Sequence, residues 1–153
     1  MSKNIEVFLP PEILALLRAA GEIGAARRQG VYLVGGTVRD MLLKRPNQDL
    51  DLVVEGDALQ VARELAKGRG GKLVTHPRFG TATFRQGAFS FDIVTARSET
   101  YAEPAALPVV KTGNIQEDLF RRDFSINAMA ISIEPTRFGD LVDPYGGKSD
   151  LDR

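Results

Sequence analysis

Two aspartates, Asp49 and Asp51, interrupt an apolar run in the stretch QDLDLVV. The surrounding leucines and valines predict a strand, in which residues two apart point to the same face. The two carboxylates would then lie roughly 6–7 Å apart on one face of that strand. Because two anions this close repel each other, the pair indicates either a solvated strand end or a site that holds a cation.

A third carboxylate, Asp92, lies in another apolar stretch, FSFDIVTAR, which is also predicted to be a strand. If this strand lies near DLDLVV, the three acids converge on one side of the sheet. Burying Asp92 without a partner would cost several kcal/mol. Mg²⁺ prefers oxygen ligands and is usually held by one or two carboxylates plus substrate phosphates. The alternative is an edge strand with solvated aspartates.

Gly35 and Gly36 lie between a predicted strand and a predicted helix, and Arg39 and Asp40 follow in the first turn of that helix. Glycines at this position let a phosphate approach backbone N–H groups, and a helix N-terminus favours negative charge. Arg39 could then bind the same phosphate through two hydrogen bonds. The alternative is an ordinary tight turn.

The stretch RRDFSINAMA falls in a helix predicted over 115–131. On that helix Arg122 could pair with a phosphate, while Asp123 and Asn127, on another face, offer hydrogen bonds to a ribose. The alternative is a solvated helix with ion pairs four residues apart, for example Asp118 with Arg122.

Other polar and aromatic residues carry weaker signals. Arg97 follows the Asp92 strand, where it could reach a triphosphate or form a surface ion pair. His76 precedes a proline and is expected at the surface. Four phenylalanines are expected to pack in the core: Phe79, Phe84, Phe89 and Phe91.

Predicted helices and strands alternate along the chain. Apolar periodicity and end signals predict helices that begin near Pro11, after Gly36, after Asp57 and near Ile115. Strands are predicted at VYLV, DLDLVVE, KLVTH, GTATFRQ, FSFDIVTAR and FGDLVD, with a hairpin turn at Gln86-Gly87. This order predicts an α/β or α+β layer architecture. No further element is expected in the closing stretch DPYGGKSDLDR.

The composition is that of an ordinary globular domain of 153 residues. There is no cysteine, which excludes disulfides and thiolate metal sites, so oxygen atoms or the single histidine must bind any metal. The 20 basic and 20 acidic side chains cancel, so no global positive field attracts nucleic acid. No apolar run reaches the roughly 20 residues of a membrane span, and a cytoplasmic location is the default expectation.

Taken in order, these stretches resemble the class II tRNA nucleotidyltransferase and bacterial poly(A) polymerase family. That family has the DNA polymerase β-like nucleotidyltransferase fold, a mixed sheet flanked by helices. The matching stretches are LVGGTVRDMLLKRPNQDLDLVV, FDIVTAR, EDLFRRDFSINAMAI and DPYGGKSDL, which cover most of residues 30–151. The loop TYAEPAALPVV is more similar to the A-adding or poly(A) polymerase branch.

The resemblance implies a role for each candidate residue. Asp49 and Asp51 would hold two Mg²⁺ ions, and Asp92, the third carboxylate, would help to activate the primer hydroxyl. Gly35, Gly36 and Arg39 would bind the triphosphate of ATP or CTP. In the RRDFSIN stretch, Arg122 would contact the phosphates, and Asp123 and Asn127 would lie near the sugar.

The implied reaction is attack of the 3′-hydroxyl of a tRNA or another RNA on the α-phosphorus of the nucleotide. In the resembling family a base-selecting segment and a tRNA-binding helical body follow the DPYGGKSDL turn, and this sequence ends at Arg153. Residues 1–153 are therefore expected to be a catalytic head domain. Two other hypotheses remain open, a nucleotide-sensing domain without turnover and a metal-dependent hydrolase that uses the same acids.

Overall fold

A computed structural model describes residues 9–43, 45, 48–100, 109–120, 122 and 128–151, with the backbone alone for 97–100 and 109–112. The helices in these ranges are α1 (Pro11–Ala26), α2 (Gly36–Leu42), α3 (Ala58–Ala66), α4 (Ile115–Phe120) and α5 (Gly147–Leu151). The strands are β1 (Val31–Val34), β2 (Asp49–Val54), β3 (Lys72–His76), β4 (Thr81–Gln86), β5 (Phe89–Thr95), β6 (Arg97–Thr100), β7 (Val109–Thr112), β8 (Ala130–Ser132) and β9 (Leu141–Val142).

The centre of the fold is a mixed sheet of seven strands in the order β3-β4-β5-β2-β1-β8-β9. The pair β2–β5 is parallel, and the other neighbouring pairs of this sheet are antiparallel. A separate two-stranded ladder joins β6 to β7. The predicted α/β (α+β) class, with a mixed sheet flanked by helices, is confirmed.

Local signals in the sequence explain where several elements begin. Pro11 occupies the first turn of α1, where its missing N–H costs nothing. Asp57 caps α3 by accepting a hydrogen bond from the backbone N–H of Gln60 at 3.1 Å. Asn114 and Glu117 form a reciprocal capping box at the start of α4, with bonds of 2.8 and 3.0 Å.

The two faces of the sheet are covered differently. On one face α1, α2 and α3 pack against the apolar side chains of β2, β4 and β5 and form the main core. On the other face a smaller cluster joins Ile115 and Leu119 of α4 to Tyr32, Val34 and Val53. We call this second side the aspartate face, because it carries Asp49, Asp51 and Asp92 at the positions that alternate with the main-core residues.

Three expectations from the sequence are wrong in part. The helix predicted over 115–131 ends at Phe120 within the described residues, and Ala130–Ser132 form a fully buried strand paired with β1. A short buried apolar run has the same pattern in a strand and in a helix, so periodicity cannot separate them. Residues 147–151 form α5 where no element was expected.

The third error is Phe79, which is 64% exposed in the turn before β4, whereas Phe84 and Phe91 are fully buried and Phe89 packs against the core. His76 is exposed, as predicted. The predicted hairpin turn joins β4 to β5, with Gly87 at a φ of 59°. No helix in the described ranges is long and apolar enough to cross a membrane.

Candidate active site

The strand register brings the three predicted carboxylates onto one face of two neighbouring strands. In the parallel pair of β2 and β5, Asp51 lies opposite Asp92 and Asp49 lies opposite Ser90. Asp49 and Asp92 are exposed, and Asp51 is partly buried. The convergence expected from the sequence is therefore present in the fold.

The pKa of Asp51 reflects this arrangement of charges. Burial raises the pKa of the Asp51 carboxyl above its ordinary value, and the negative charges of Asp92 and Asp49 add to this increase. The positive charge of Arg122 acts in the opposite direction and lowers the pKa of Asp51. The four side chains are thus close enough to interact, and a cation beside Asp51 would relieve its repulsion.

Gly35 links the end of β1 to the carboxylates. Its φ of 64° and ψ of −134° lie outside the regions that residues with a Cβ atom normally adopt. A Cβ atom at Gly35 would lie 3.5 Å from Nη1 of Arg122 and 4.0 Å from Oδ2 of Asp51. The bare backbone of the turn therefore lies close to both charged groups. Its role in binding a phosphate stays a prediction.

Gly36 makes room for Arg39. A Cβ atom at Gly36 would lie only 3.3 Å from Nη2 of Arg39, tighter than most contacts of real side chains. Nε of Arg39 forms an ion pair of 3.3 Å with Oδ1 of Asp40, and its side chain is about one-third exposed. The Arg39 guanidinium therefore lies between the glycine turn and the Asp40 carboxylate.

Arg122 is held by a partly buried ion pair. Its Nη2 lies 3.0 Å from Oδ1 of Asp118, a fully buried residue of α4, so this ion pair exists but is not the solvated one that the alternative interpretation assumed. Nε of Arg122 is also buried and has no hydrogen-bond partner in the described part of the chain. Because an unpaired buried donor is costly, this N–H is available to a ligand oxygen.

Two threonines that sequence reasoning missed position the carboxylates. The Thr83 hydroxyl donates to Oδ1 of Asp92 at 2.8 Å. The buried Thr37 hydroxyl accepts from the Asp51 backbone N–H at 2.9 Å and donates to the Asp49 carbonyl at 3.2 Å. The contact of Thr83 with Asp92 could have been found from the sequence, because a two-residue turn after Gln86 places Thr83 opposite Asp92. The contact of Thr37 with β2 has no such signal in the sequence.

Three predicted residues cannot be placed in the site. Asp123 and Asn127 lie outside the described residues. For Arg97, at the start of β6, the structure describes the backbone alone. Their assignment to the sugar and the triphosphate stays a prediction.

The donor set suits a hard cation. Asp49, Asp51 and Asp92 offer oxygen atoms, which Mg²⁺ prefers. In the described ranges no three histidine, cysteine, aspartate or glutamate side chains already form a group that could hold one ion. Mg²⁺ does not require such a group, because it is usually held by one or two carboxylates together with water and substrate phosphates. The strand register, which places Asp51 opposite Asp92 and on the same face as Asp49, is the observation that fits a cation here.

The comparison with protein families decides the relationship. Residues 31–153 match the family described as the poly A polymerase head domain. The chain belongs to this family. The chain is 53% identical to the A-adding tRNA nucleotidyltransferase of Halalkalibacterium halodurans over 140 residues. These residues cover 90% of this chain and 33% of that relative. The head domain therefore spans about one-third of the length of this curated relative.

Solved structures agree with this relationship. A CCA-adding enzyme in its apo form II has a TM-score of 0.88 and 47% identity, covering 99% of this head domain and 36% of that chain. A tRNA nucleotidyltransferase complexed with a primer tRNA and an incoming ATP analogue has a TM-score of 0.77 and 41% identity, covering 87% of this head domain and 36% of that chain. The nucleotidyltransferase fold expected from the sequence is confirmed.

Proposed function

We propose that this head domain carries the catalytic centre of a template-independent RNA nucleotidyltransferase that adds AMP, CMP or both to an RNA 3′ end. The 3′-hydroxyl attacks the α-phosphorus of ATP or CTP, the bond from that phosphorus to the bridging oxygen of the leaving group breaks, and pyrophosphate departs. The observation that carries the proposal is the convergence of Asp49, Asp51 and Asp92 on one sheet face beside Gly35 and Arg122.

The carboxylates have distinct roles in this proposal. Asp49, Asp51 and Asp92 would hold two Mg²⁺ ions, which when bound would stabilise charge at the attacking and leaving oxygens. Asp92 also assists removal of the proton from the attacking hydroxyl. The hydrogen bond from Thr83 holds one oxygen of Asp92 in place and leaves the second oxygen to accept the proton.

The triphosphate is bound on the side of the carboxylates nearest β1. The Gly35-Gly36 backbone approaches the triphosphate, and Arg39 and Arg122 neutralise it, with the buried Nε of Arg122 donating to a phosphate oxygen. Arg97 contacts the triphosphate as well. The ribose is bound by two residues of the RRDFSIN stretch, Asp123 and Asn127.

Base choice and binding of the tRNA body, away from its 3′ end, are proposed to come from regions outside residues 1–153. This is supported by the one-third share of the Halalkalibacterium relative and by a charge balance of 20 basic and 20 acidic side chains. That relative is named for A addition, which favours ATP as the substrate and a tRNA lacking its terminal adenosine as the acceptor.

Incorporation of labelled ATP or CTP into such a tRNA tests the proposal in the full-length protein. We expect Mg²⁺-dependent incorporation with ATP preferred, and a loss of about 10²–10⁴-fold in Asp92→Asn. Asp57→Asn is the matched control, because asparagine is an equally good helix cap at this exposed residue, which has no part in the proposed site. A protein that binds ATP without incorporating it is a sensor, and pyrophosphate release without RNA indicates a hydrolase; either result contradicts the proposal.

A further inference from the structure

The aspartate face continues beyond the carboxylates onto β3 and β4. On this face no described helix covers the two strands, whereas α3 packs on their opposite face. On β3 the residues that alternate with the core, Lys72, Val74 and His76, are all exposed, and Val74 retains 41% of its accessible surface. On β4 Arg85 is exposed on the same side. This part of the sheet is an open surface that adjoins the candidate active site.

Two cations of this surface are aligned, across neighbouring strands, with Asp49 of β2. Lys72 lies opposite Arg85 in the β3–β4 pair, Arg85 lies opposite Ser90 in the β4–β5 pair, and Ser90 lies opposite Asp49 in the β5–β2 pair. We call Lys72 and Arg85 the basic row. Since neighbouring strands are about 4.8 Å apart, the Arg85 backbone lies roughly 10 Å from that of Asp49.

Fold stability does not account for the basic row. Like charges directly opposite each other on a sheet are destabilising. Neither Lys72 nor Arg85 has an ion pair or a side-chain hydrogen bond in the described ranges. A lysine on the edge strand β3 can discourage aggregation, but Arg85 is on an inner strand where this reason does not apply. An anionic partner would explain both cations.

We propose that the basic row binds the phosphate backbone of the RNA next to its 3′ end and brings the terminal hydroxyl to Asp92. This inference rests on the proposed function. In the sheet order, Gly35 and Arg122 lie on the β1 side of the carboxylates and the basic row lies on the β4 side. The attacking and leaving oxygens of phosphoryl transfer are roughly in line, so a triphosphate on the β1 side requires the hydroxyl to approach from the β4 side. Asp92, on β5, is the carboxylate nearest to that approach.

The test compares two double variants of the full-length protein. Lys72→Gln/Arg85→Gln removes the basic row. Arg63→Gln/Lys67→Gln makes the same change in net charge at two exposed residues, one in α3 and one at its C-cap, on the opposite side of the sheet. Fluorescence anisotropy gives the Kd for a labelled tRNA lacking its terminal adenosine over a range of salt concentrations. Incorporation assays give KM for that tRNA and KM for ATP, and a melting curve verifies the fold of each variant.

We expect the basic-row variant to bind the tRNA about tenfold more weakly and to raise its KM similarly, with KM for ATP unchanged. The slope of log Kd against log salt should fall by about 0.7 for each lost phosphate contact. Equal tRNA binding in both variants, or a raised KM for ATP in the basic-row variant, would overturn the inference. If no nucleotide is incorporated by the unmodified protein, the proposed function fails, but the anisotropy comparison still tests the RNA surface.

Discussion

At the scale of single residues, Asp51 gives the site a measurable pH dependence. Burial and the charges of Asp92 and Asp49 raise its pKa in the folded protein above the unfolded value of about 3.9. Ionising Asp51 therefore destabilises the fold without a cation. The penalty is absent below the unfolded pKa, grows as pH rises toward the folded pKa, and stays constant above it.

Asp51→Asn should consequently unfold at a higher temperature than the unmodified protein at neutral pH when divalent cations are chelated. The difference should disappear below about pH 3.9, where the unmodified carboxyl is neutral in both states. Added Mg²⁺ should stabilise the unmodified protein more than the variant. Melting curves across this pH range, with and without Mg²⁺, provide the measurement. A variant that is less stable at neutral pH would show that Asp51 is not strained by its neighbours.

Thr83 provides the second prediction at this scale. Thr83→Val keeps the shape of the side chain but removes the donor to Asp92, and supporting hydrogen bonds of this kind are worth about 10–100-fold in activity. We expect kcat to fall by that amount with KM for ATP unchanged, and Thr83→Ser to restore most of the activity. Thr81→Val, two residues along the same strand face and opposite Val94, is the control. Equal kcat values in the two valine variants would exclude the positioning role.

At the scale of elements, Thr37 joins α2 to the first residues of β2. Thr37→Val leaves the Asp51 backbone N–H and the Asp49 carbonyl without their partner, in a position where Thr37 is only 1% exposed. We expect a loss of about 1–3 kcal/mol in the free energy of unfolding, measured by urea denaturation. Thr136→Val, at an exposed hydroxyl, should change it by less than about 0.5 kcal/mol.

A substitution at Gly35 tests the role of the turn that leads into α2. Gly35→Ala forces a side chain into the positive-φ region and should weaken ATP binding, because the added methyl group lies between the backbone and Arg122. Gly87→Ala also places a side chain at a positive φ, 59°, but in open space. Gly87→Ala should lose about 1–2 kcal/mol of stability and Gly35→Ala at least as much, but only Gly35→Ala should raise the Kd for ATP, measured by isothermal titration calorimetry. The same Kd in both variants would argue against a phosphate at this turn.

The sequence predicted most elements because their signals are local. The alternating pattern of GTATFRQ and FSFDIVTAR and the glycine turn between them define a hairpin without further information. The parallel pairing of β2 with β5 has no such local signal, because it joins segments far apart in the chain. The strand at Ala130–Ser132 was missed because its burial depends on β1 and not on its own sequence pattern.

At the scale of the whole molecule, charge balance makes ligand binding depend on local clusters. With 20 cations and 20 anions, the proposed binding of a triphosphate would have to come from the few groups at the glycine turn and from the proposed metal ions. We expect Mg²⁺ with ATP, at about 100 times Kd, to stabilise the protein by about 2.7 kcal/mol, visible as a raised melting temperature.

Asp49→Ala should abolish most of this shift, because it removes a proposed metal ligand. ATP with a chelator in place of Mg²⁺ is the control for binding without metal. An undiminished shift in Asp49→Ala would show that the nucleotide binds away from the three carboxylates. That outcome would leave the fold assignment intact and contradict the proposed active site.

The parallel pair of β2 and β5 has a consequence for how the protein refolds. Asp51 and Asp92 belong to different segments of the chain, and the long connection through α3, β3 and β4 must be in place before they meet. Contacts between residues distant in sequence form slowly, because the intervening chain must first be ordered. The return of the proposed ATP binding after dilution from denaturant should therefore follow complete assembly of the sheet, later than any recovery of helix content.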